Sequence, residues 1–507
     1  MKSFSYLFPL RVFWLIAALY AFHGRAEENT ERPIVVVVPS YNNAGGEFYR
    51  RTLDSIVAQD YHNFRIIYVV DDDYAYDSDG TGFLVERYRY EHGLQDRMII
   101  IRNRSRQLGL QNLYKAVLST RDEEIIAVLD GDGDEFAHSG VLTYVNAMYS
   151  SKPHPVWLTY GNYKWLSSQE VWTYTWPIPY RVLRDNSIRS WGSGATSLKT
   201  FKSWLFKQIK IRDLFYDGGF FSMSKDVAVY IPMLEMANYR YAYTTRVLYV
   251  YNDLNTINDF KVDGNLQKKL GDFVRDEKTS YEPLKESAEN VLEEQLKNSV
   301  LRPVCIVFGN GDAAMLTQVN FEEGPAFLVS YNERDKWMVT SFGNESENVF
   351  SKGSLGELLY NLISSLSDDY IVFANGPLIP NNDLLERAAY WLELTHAHRF
   401  YGNATLDKFQ EYSETSPEMR APSIISIDEP PVDTSVYAWQ YQDTKDKSLV
   451  GLEMMPILRK AEVLSLLSTS TIKDERAFET LLMESCSHDD IGLFFCEGTL
   501  ERRLPVE

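Results

Sequence analysis

Cysteine is nearly absent, with three residues in 507: Cys305, Cys486 and Cys496. That is too few for a disulfide scaffold, and the spacing is not that of a zinc finger; one bridge, or buried free thiols, remain the readings. No Gly-x-Gly-x-x-Gly follows the first apolar strand, which disfavours a nicotinamide dehydrogenase. No Walker P-loop is present, so ATPase readings fail too. Positive charge is short: 51 Lys and Arg face 71 Asp and Glu, for a formal net charge of −20. Such a chain is poorly suited to gripping nucleic-acid backbones. Long apolar runs are also missing. The run from Val12 to Phe22 falls well short of the roughly 20 residues that a membrane span needs.

What is present is an ordinary globular composition, 45% hydrophobic and 24% charged. Disorder, collagen and coiled coil are thereby excluded for the chain as a whole, and its length predicts two to four domains. The charge is uneven. Residues 1–260 hold 28 basic and 29 acidic side chains, and residues 261–507 hold 23 and 42. The acid excess thus lies in the second half, where it suits solubility or a basic partner. Lys2 and Arg11 precede the Val12–Phe22 run, and small and polar residues follow it. Residues 1–26 therefore read as a secretory signal cleaved near Gly24 to Ala26, or as an uncleaved membrane anchor. Either implies a secretory lumen or another extracytoplasmic location. Sequons occur at Asn103, Asn344 and Asn403.

Residues 33–160 alternate apolar runs with helical patterns. Strands are predicted at Ile34–Val38, Arg65–Val70, Met98–Arg102 and Glu124–Leu129. Helices are predicted at Phe48–Gln59, Phe83–His92, Gly109–Thr120 and Ser139–Met148. This alternation predicts an α/β fold with a mostly parallel sheet flanked by helices. Ligands in such sheets sit beyond the carboxyl ends of strands. The polar clusters 39–43, 71–73 and 130–135 all fall there. Residues 255–300 read as a linker with one helix, from Leu284 to Leu296. The second half contains Tyr370–Asn375, a helix from Asp383 to Leu394, and Arg399-Phe-Tyr-Gly-Asn403. That order repeats Ile125–Asp130, the Ser139 helix and Thr159-Tyr-Gly-Asn162, so residues 301–507 read as a second α/β domain, either a degenerate copy or a chance likeness. In a true copy, Asp130-Gly-Asp132 has become Asn375-Gly-Pro377, without carboxylates.

Asp130, Asp132, Asp134 and Glu135 crowd one strand end. Like charges so close repel unless a cation neutralises them. A hard divalent ion with oxygen ligands, bridging substrate phosphates, is the simple solution; an acidic solvated turn is the plain alternative. Asp71 and Asp72 could accept hydrogen bonds from a nucleobase or ribose, or could simply close a turn.

Taken together, Val37-Val-Pro-Ser-Tyr-Asn-Asn43, Tyr68-Val-Val-Asp-Asp72 with Asp79-Gly-Thr81, and Val128-Leu-Asp-Gly-Asp132 resemble family 2 glycosyltransferases with the GT-A fold. Asn103 and Gly109-Leu-Gln-Asn112 fit the same resemblance. So do Tyr160-Gly-Asn162, Lys199–Leu205, Pro232–Met236 and Val247–Asn252, over about residues 33–260. The resemblance implies a metal-dependent, inverting transfer of a sugar from a nucleotide diphosphate sugar, a UDP-sugar first among them. The acceptor would be a glycan, glycoprotein or glycolipid hydroxyl. It implies that Pro39, Ser40, Tyr41, Asn42, Asp71 and Asp72 line the nucleotide pocket. Asp130 and Asp132 would hold Mn2+ or Mg2+ and the diphosphate, and Asp226 would be the general base. Asp226 could also cap a helix, and Asp217 is the rival base.

Departures from the family pattern matter. Gly133-Asp134-Glu135-Phe136 suggests one inserted residue, so the metal ligands could be Asp132 and Asp134. Ser197 stands where related enzymes often have a metal-binding His. A non-catalytic carbohydrate- or nucleotide-sugar-binding protein on the same scaffold is the alternative. The six tryptophans between Trp157 and Trp204 would suit an acceptor platform, or core packing.

Overall fold

The computed structural model describes residues 31–503, apart from 72–78, 104, 153, 173–174, 192–195, 288–302, 310–325, 333–335, 343–347, 352, 376–377, 381, 405–422, 425–435, 442–450, 470, 488 and 496–500. The amino-terminal signal or anchor, Asp72, Asn344 and Cys496 lie outside the described residues. Among the described residues no helix is long and apolar enough to cross a membrane.

The first half is built on β1 (Ile34–Ser40), β2 (Phe64–Val70), β3 (Met98–Arg102), β4 (Ile125–Val128), β5 (Glu135–Phe136), β6 (Leu158–Trp165), β7 (Thr196–Lys202), the hairpin β8 (Phe215–Tyr216) and β9 (Gly219–Phe220), and β10 (Tyr241–Tyr251). Eight of these form one sheet in the order β3-β2-β1-β4-β7-β6-β10-β5. β1 pairs in parallel with β2 on one side and β4 on the other. Strand order therefore reverses at β1, which opens a crevice beyond its carboxyl end. Ile34 to Val38 are almost wholly buried because helices cover both faces of β1. This is why the run is continuously apolar rather than alternating.

The second half contains β11 (Val304–Gly309), β12 (Ala326–Asn332), β13 (Lys336–Phe342), β14 (Asn348–Ser351), β15 (Tyr370–Asn375), β16 (Leu378–Pro380), β17 (Arg399–Tyr401), β18 (Ser423–Ile424), β19 (Val436–Gln440), β20 (Pro456–Arg459), β21 (Ile491–Phe495) and β22 (Glu501–Arg503). Its sheet runs β14-β13-β12-β11-β15-β20-β17-β21-β19-β18. The run β12-β11-β15-β20-β17-β21 has the same chain order and relative directions as β2-β1-β4-β7-β6-β10. The sheets diverge at the edge, where β13 runs antiparallel to β12 while β3 runs parallel to β2. Asn375 ends β15 where Asp130 follows β4.

Most of the helix expected at Leu284–Leu296 in the linker lies outside the described residues, and the structure shows an earlier helix in this segment. A helix spans Asp259–Asp276, and Leu270 and Val274 on one face of it are buried in the first domain's core. The chain beyond it also docks there, with the Leu284 amide donating to the Met236 carbonyl (2.9 Å) and Arg240 donating to Leu284 O (2.8 Å). Apolar positions at helical spacing (Leu266, Leu270, Phe273, Val274) explain the docking.

Cys305 is buried and Cys486 half-buried, both as free thiols, and burial pushes the Cys305 thiol up to about 12. Asn103 and Asn403 are buried, so neither described sequon presents its amide at the surface.

Candidate active site

The crevice is assembled from four strand ends. Ser40, at the end of β1, is turned inward; its Oγ accepts from Tyr68 Oη (2.9 Å) and Asn43 Nδ2 (2.8 Å). Pro39 contributes its carbonyl, which accepts the Gly131 amide at 2.9 Å. Tyr41 lies under the Arg106 guanidinium, 3.9 Å from the ring centre, which joins the loops after β1 and β3. Asn42 is exposed, with a left-handed φ of 53°. Asp79 secures the loop from below by accepting from the Ala44 amide (2.9 Å) and Thr81 Oγ1 (2.6 Å).

Asp71 is buried at the end of β2, and both of its carboxylate oxygens are engaged. Oδ1 accepts from Asn103 Nδ2 (2.8 Å) and the Gln107 amide (2.6 Å), and Oδ2 accepts from the Leu108 amide (2.8 Å). Asn103 also donates to Asn112 Oδ1 (2.7 Å) and accepts from Lys115 Nζ (2.8 Å). Asp71 therefore holds the start of the helix Leu108–Leu118, where a carboxylate meets unpaired amides and the helix dipole.

The acidic turn after β4 separates its carboxylates by role. Gly131 permits the turn to lie on β1: a Cβ there would sit 2.8 Å from Ser40 Cβ and 3.0 Å from Pro39 O. Gly133 has φ +94° and faces Asn252 Nδ2 at 2.6 Å from an added Cβ. Asp134 is fully buried; it accepts from Tyr249 Oη and from the Asn252 amide (2.6 Å). Both of its oxygens are thus taken by β10 and the residue after it, so the Asp132/Asp134 ligand pair loses support from the geometry. Asp130 accepts from Lys225 Nζ. Asp132 keeps one oxygen, Oδ1, buried and without a hydrogen-bond partner among the described residues. Burial, and then the charge of Asp130, push the Asp132 carboxyl up to about 7 despite the opposing pull of Lys225. A half-buried carboxylate with one buried, open oxygen is a group that a cation would satisfy.

Lys225 and Asp226 open the helix Lys225–Ala237. Ser224 is the N-cap residue, so Asp226 is not the cap. Asp226 is half exposed and pairs with Lys199 Nζ at 3.2 Å. Burial alone would raise its carboxyl; the Lys199 charge and hydrogen bond outweigh it and hold the group below its ordinary value. Lys225 links this helix start to Asp130, so Asp226 stands beside the acidic turn. Asp217 lies elsewhere, in the β8–β9 hairpin turn, where the next amide, of Gly218, donates to Gln440 of the second half (3.1 Å).

Lys199, Tyr249 and Asn252 lie in segments that carry the resemblance, but the sequence alone assigns no site role to them or to Lys225. Lys225 had a signal, its adjacency to Asp226, and Asn252 closes a segment already notable for its order. Ser197, in place of a histidine, leaves few metal ligands. Among the described residues no group of three His, Cys, Asp or Glu side chains is set to hold a metal. The donor set still fits a magnesium- or manganese-type ion, which needs only one or two carboxylates when substrate phosphates complete its shell. A separate cavity of about 560 Å3 lies between the helix Phe48–Val57 and β5. Its arginines are already paired, Arg50 with Glu47 and Arg51 with Glu135.

Residues 35–215 match the family model described as glycosyl transferase family 2. No curated protein matches the chain. Among solved structures, Staphylococcus aureus TarS 1-349 is similar at 16% identity and a TM-score of 0.33, over 43% of this chain and 60% of that one. The same protein in complex with UDP-GlcNAc gives 16% and 0.33, over 44% and 58%. A mannosyltransferase from Pyrobaculum calidifontis in complex with GDP-Man and Mn2+ gives 21% and 0.30, over 47% and 65%. The chain thus spans less than two thirds of the length of each.

Proposed function

We propose that this chain, whose residues 35–215 carry a glycosyl transferase family 2 domain, transfers a sugar from a nucleotide diphosphate sugar, a UDP-sugar in the first instance, to an acceptor hydroxyl with inversion. The observation that carries the reading is the convergence of Asp130, Asp132, Lys225 and Asp226 at the topological switch point of the first sheet.

This reading assigns each residue a part. The loop Pro39–Asn42 and the end of β2 line the nucleotide side of the crevice. Asp132 and Asp130 would hold a manganese or magnesium ion, whose charge offsets that developing on the departing diphosphate. Lys225 adds a fixed positive charge at the same place. Asp226 takes the proton of the acceptor hydroxyl as that oxygen bonds to the anomeric carbon and the bond to the diphosphate breaks. Lys199 keeps Asp226 ionised and ready to accept.

The test is calorimetric titration of UDP- and GDP-sugars into the full chain, with and without Mn2+. Binding of a nucleotide sugar, weakened about tenfold or more by Asp132→Ala, is the expected result; a single charge-assisted contact carries about that much. Equal binding by wild type and Asp132→Ala would overturn the metal-site assignment. A second reading, a non-catalytic nucleotide-sugar binder, is favoured by one observation: Lys225 and the Tyr249–Asn252 pair already occupy Asp130 and Asp134. Binding without transfer to any hydroxyl acceptor would support it.

Lys225 also makes a prediction of its own. An ammonium and a divalent ion compete for Asp130, so Lys225→Met should tighten Mn2+ binding in the absence of nucleotide by about tenfold or more. Electron paramagnetic resonance of free Mn2+ measures this directly. Weaker binding in the variant would mean that the lysine organises the carboxylates rather than competing with the ion.

A further inference from the structure

Four of the six tryptophans in the stretch fall into two populations, while Trp176 is exposed and Trp191 is half-buried against the first core. Trp157 and Trp204 are core residues, 2% and 1% exposed, packed edge to face at 4.9 Å. Trp165 and Trp172 are half-buried and belong to a different cluster with Tyr163 and Tyr251. Trp165 meets Tyr163 (5.2 Å, 81°), Trp172 (5.9 Å, 84°) and Tyr251 (5.4 Å, 84°), each nearly perpendicular. Tyr163 and Trp172 are stacked at 5.8 Å and 13°.

Register places this cluster. Tyr163 lies opposite Tyr249 and Trp165 opposite Tyr251 in the β6–β10 pair, so all four side chains project from one sheet face. The Tyr249 hydroxyl on that face binds Asp134. Across β10, on its other edge, β5 pairs with Tyr249 and Val250, directly after the acidic turn. At about 4.8 Å per strand, Trp165 stands two strand spacings, roughly 10 Å, from that turn. The cluster sits at the carboxyl ends of β6 and β10, the end of the sheet where the crevice opens. Burial and then the three turn carboxylates raise the Tyr251 phenol, which fits that proximity.

We infer that Tyr163, Trp165, Trp172 and Tyr251 form a pyranose-binding subsite, and that the acceptor is a saccharide chain. The role as acceptor site rests on the glycosyltransferase reading, but the subsite itself does not. Partly exposed aromatic rings offer flat apolar faces with polar edges, the surface that the axial C–H face and equatorial hydroxyls of a pyranose require. A roughly 10 Å offset from the turn, two strand spacings, leaves room for the reacting sugar and one further unit. Asn252, the residue after Tyr251, also ties this strand end to the acidic turn, its Nδ2 donating to Asp132 O at 2.6 Å.

Saturation-transfer NMR on the full chain tests it, using a panel of neutral tetrasaccharides based on glucose, galactose, mannose and N-acetylglucosamine. At least one should bind wild type, and Trp165→Ala should weaken it about tenfold or more. Trp165→Phe should restore most of the binding, since it keeps a flat ring and controls for folding. Nucleotide-sugar binding, measured by calorimetry on the same samples, should be unchanged in both variants. If a saccharide binds and no nucleotide sugar does, the function proposal fails and the subsite stands. If no tetrasaccharide binds, or Trp165→Ala binds like wild type, the subsite is overturned. Partitioning of wild type but not Trp165→Ala onto phosphatidylcholine–phosphatidylglycerol vesicles, without saccharide binding, would overturn it in favour of a lipid-facing surface.

Discussion

Asp226→Asn should retain nucleotide-sugar binding and lose sugar transfer by about 10^2–10^4-fold, the range that a positioned general base contributes. The side chain is half exposed at the helix start next to Lys225, whose ammonium reaches Asp130. Asparagine preserves the size and can still receive a hydrogen bond from Lys199, so the local structure is kept. It cannot accept a proton. Donor binding by calorimetry and transfer by product mass spectrometry separate the two effects. Loss of donor binding together with transfer would assign Asp226 a structural role, and undiminished transfer would remove it from the chemistry.

Glu235→Gln should destabilise the first domain by about 3–5 kcal/mol, because it leaves a buried guanidinium without its counter-charge. Glu235 is wholly buried in the helix Lys225–Ala237 and receives Arg189 through two bonds of 2.9 and 2.8 Å. Arg189 also donates to the carbonyls of Val274 and Thr279, and the Tyr281 amide donates to Glu235 (3.1 Å). One ion pair thus ties the helix Lys225–Ala237 to Ile188–Trp191 and to the helix Asp259–Asp276. The urea midpoint of the first unfolding transition measures the effect. The double change Glu235→Met with Arg189→Met should cost much less than either single change, since it removes both charges from the interior. A loss below about 1 kcal/mol in Glu235→Gln would mean that water reaches the pair.

Asp226 and Glu235 lie on one helix, and their partners lie beyond the reach of local pattern. The strands of the first domain are legible because each satisfies its burial locally. Ile34–Val38 is apolar on both faces, and the strand expected at Met98–Arg102 is observed at those residues. The acidic turn after β4 is equally legible, since a run of clustered carboxylates cannot continue a buried strand without desolvating every charge. The helix expected at 383–394 is observed at Asn382–Thr395, for the same reason of periodicity.

The assignment of individual carboxylates is not legible. Asp130, Asp132 and Asp134 look alike in sequence, yet one accepts a lysine 95 positions away, one is sealed by a tyrosine 115 positions away, and one keeps an open oxygen. Asp71, expected at the nucleotide, spends both oxygens on backbone and Asn103. The helix Asp259–Asp276 docks because its apolar face meets the first core. The amino-acid order therefore specified which segments are strands and helices and where charge collects. Which charge is neutralised, by what, and which rings stay partly exposed was decided by tertiary contact. Hydrogen bonds and ion pairs depend on distances of a few ångströms, and those are set by how distant segments pack, not by neighbours along the chain.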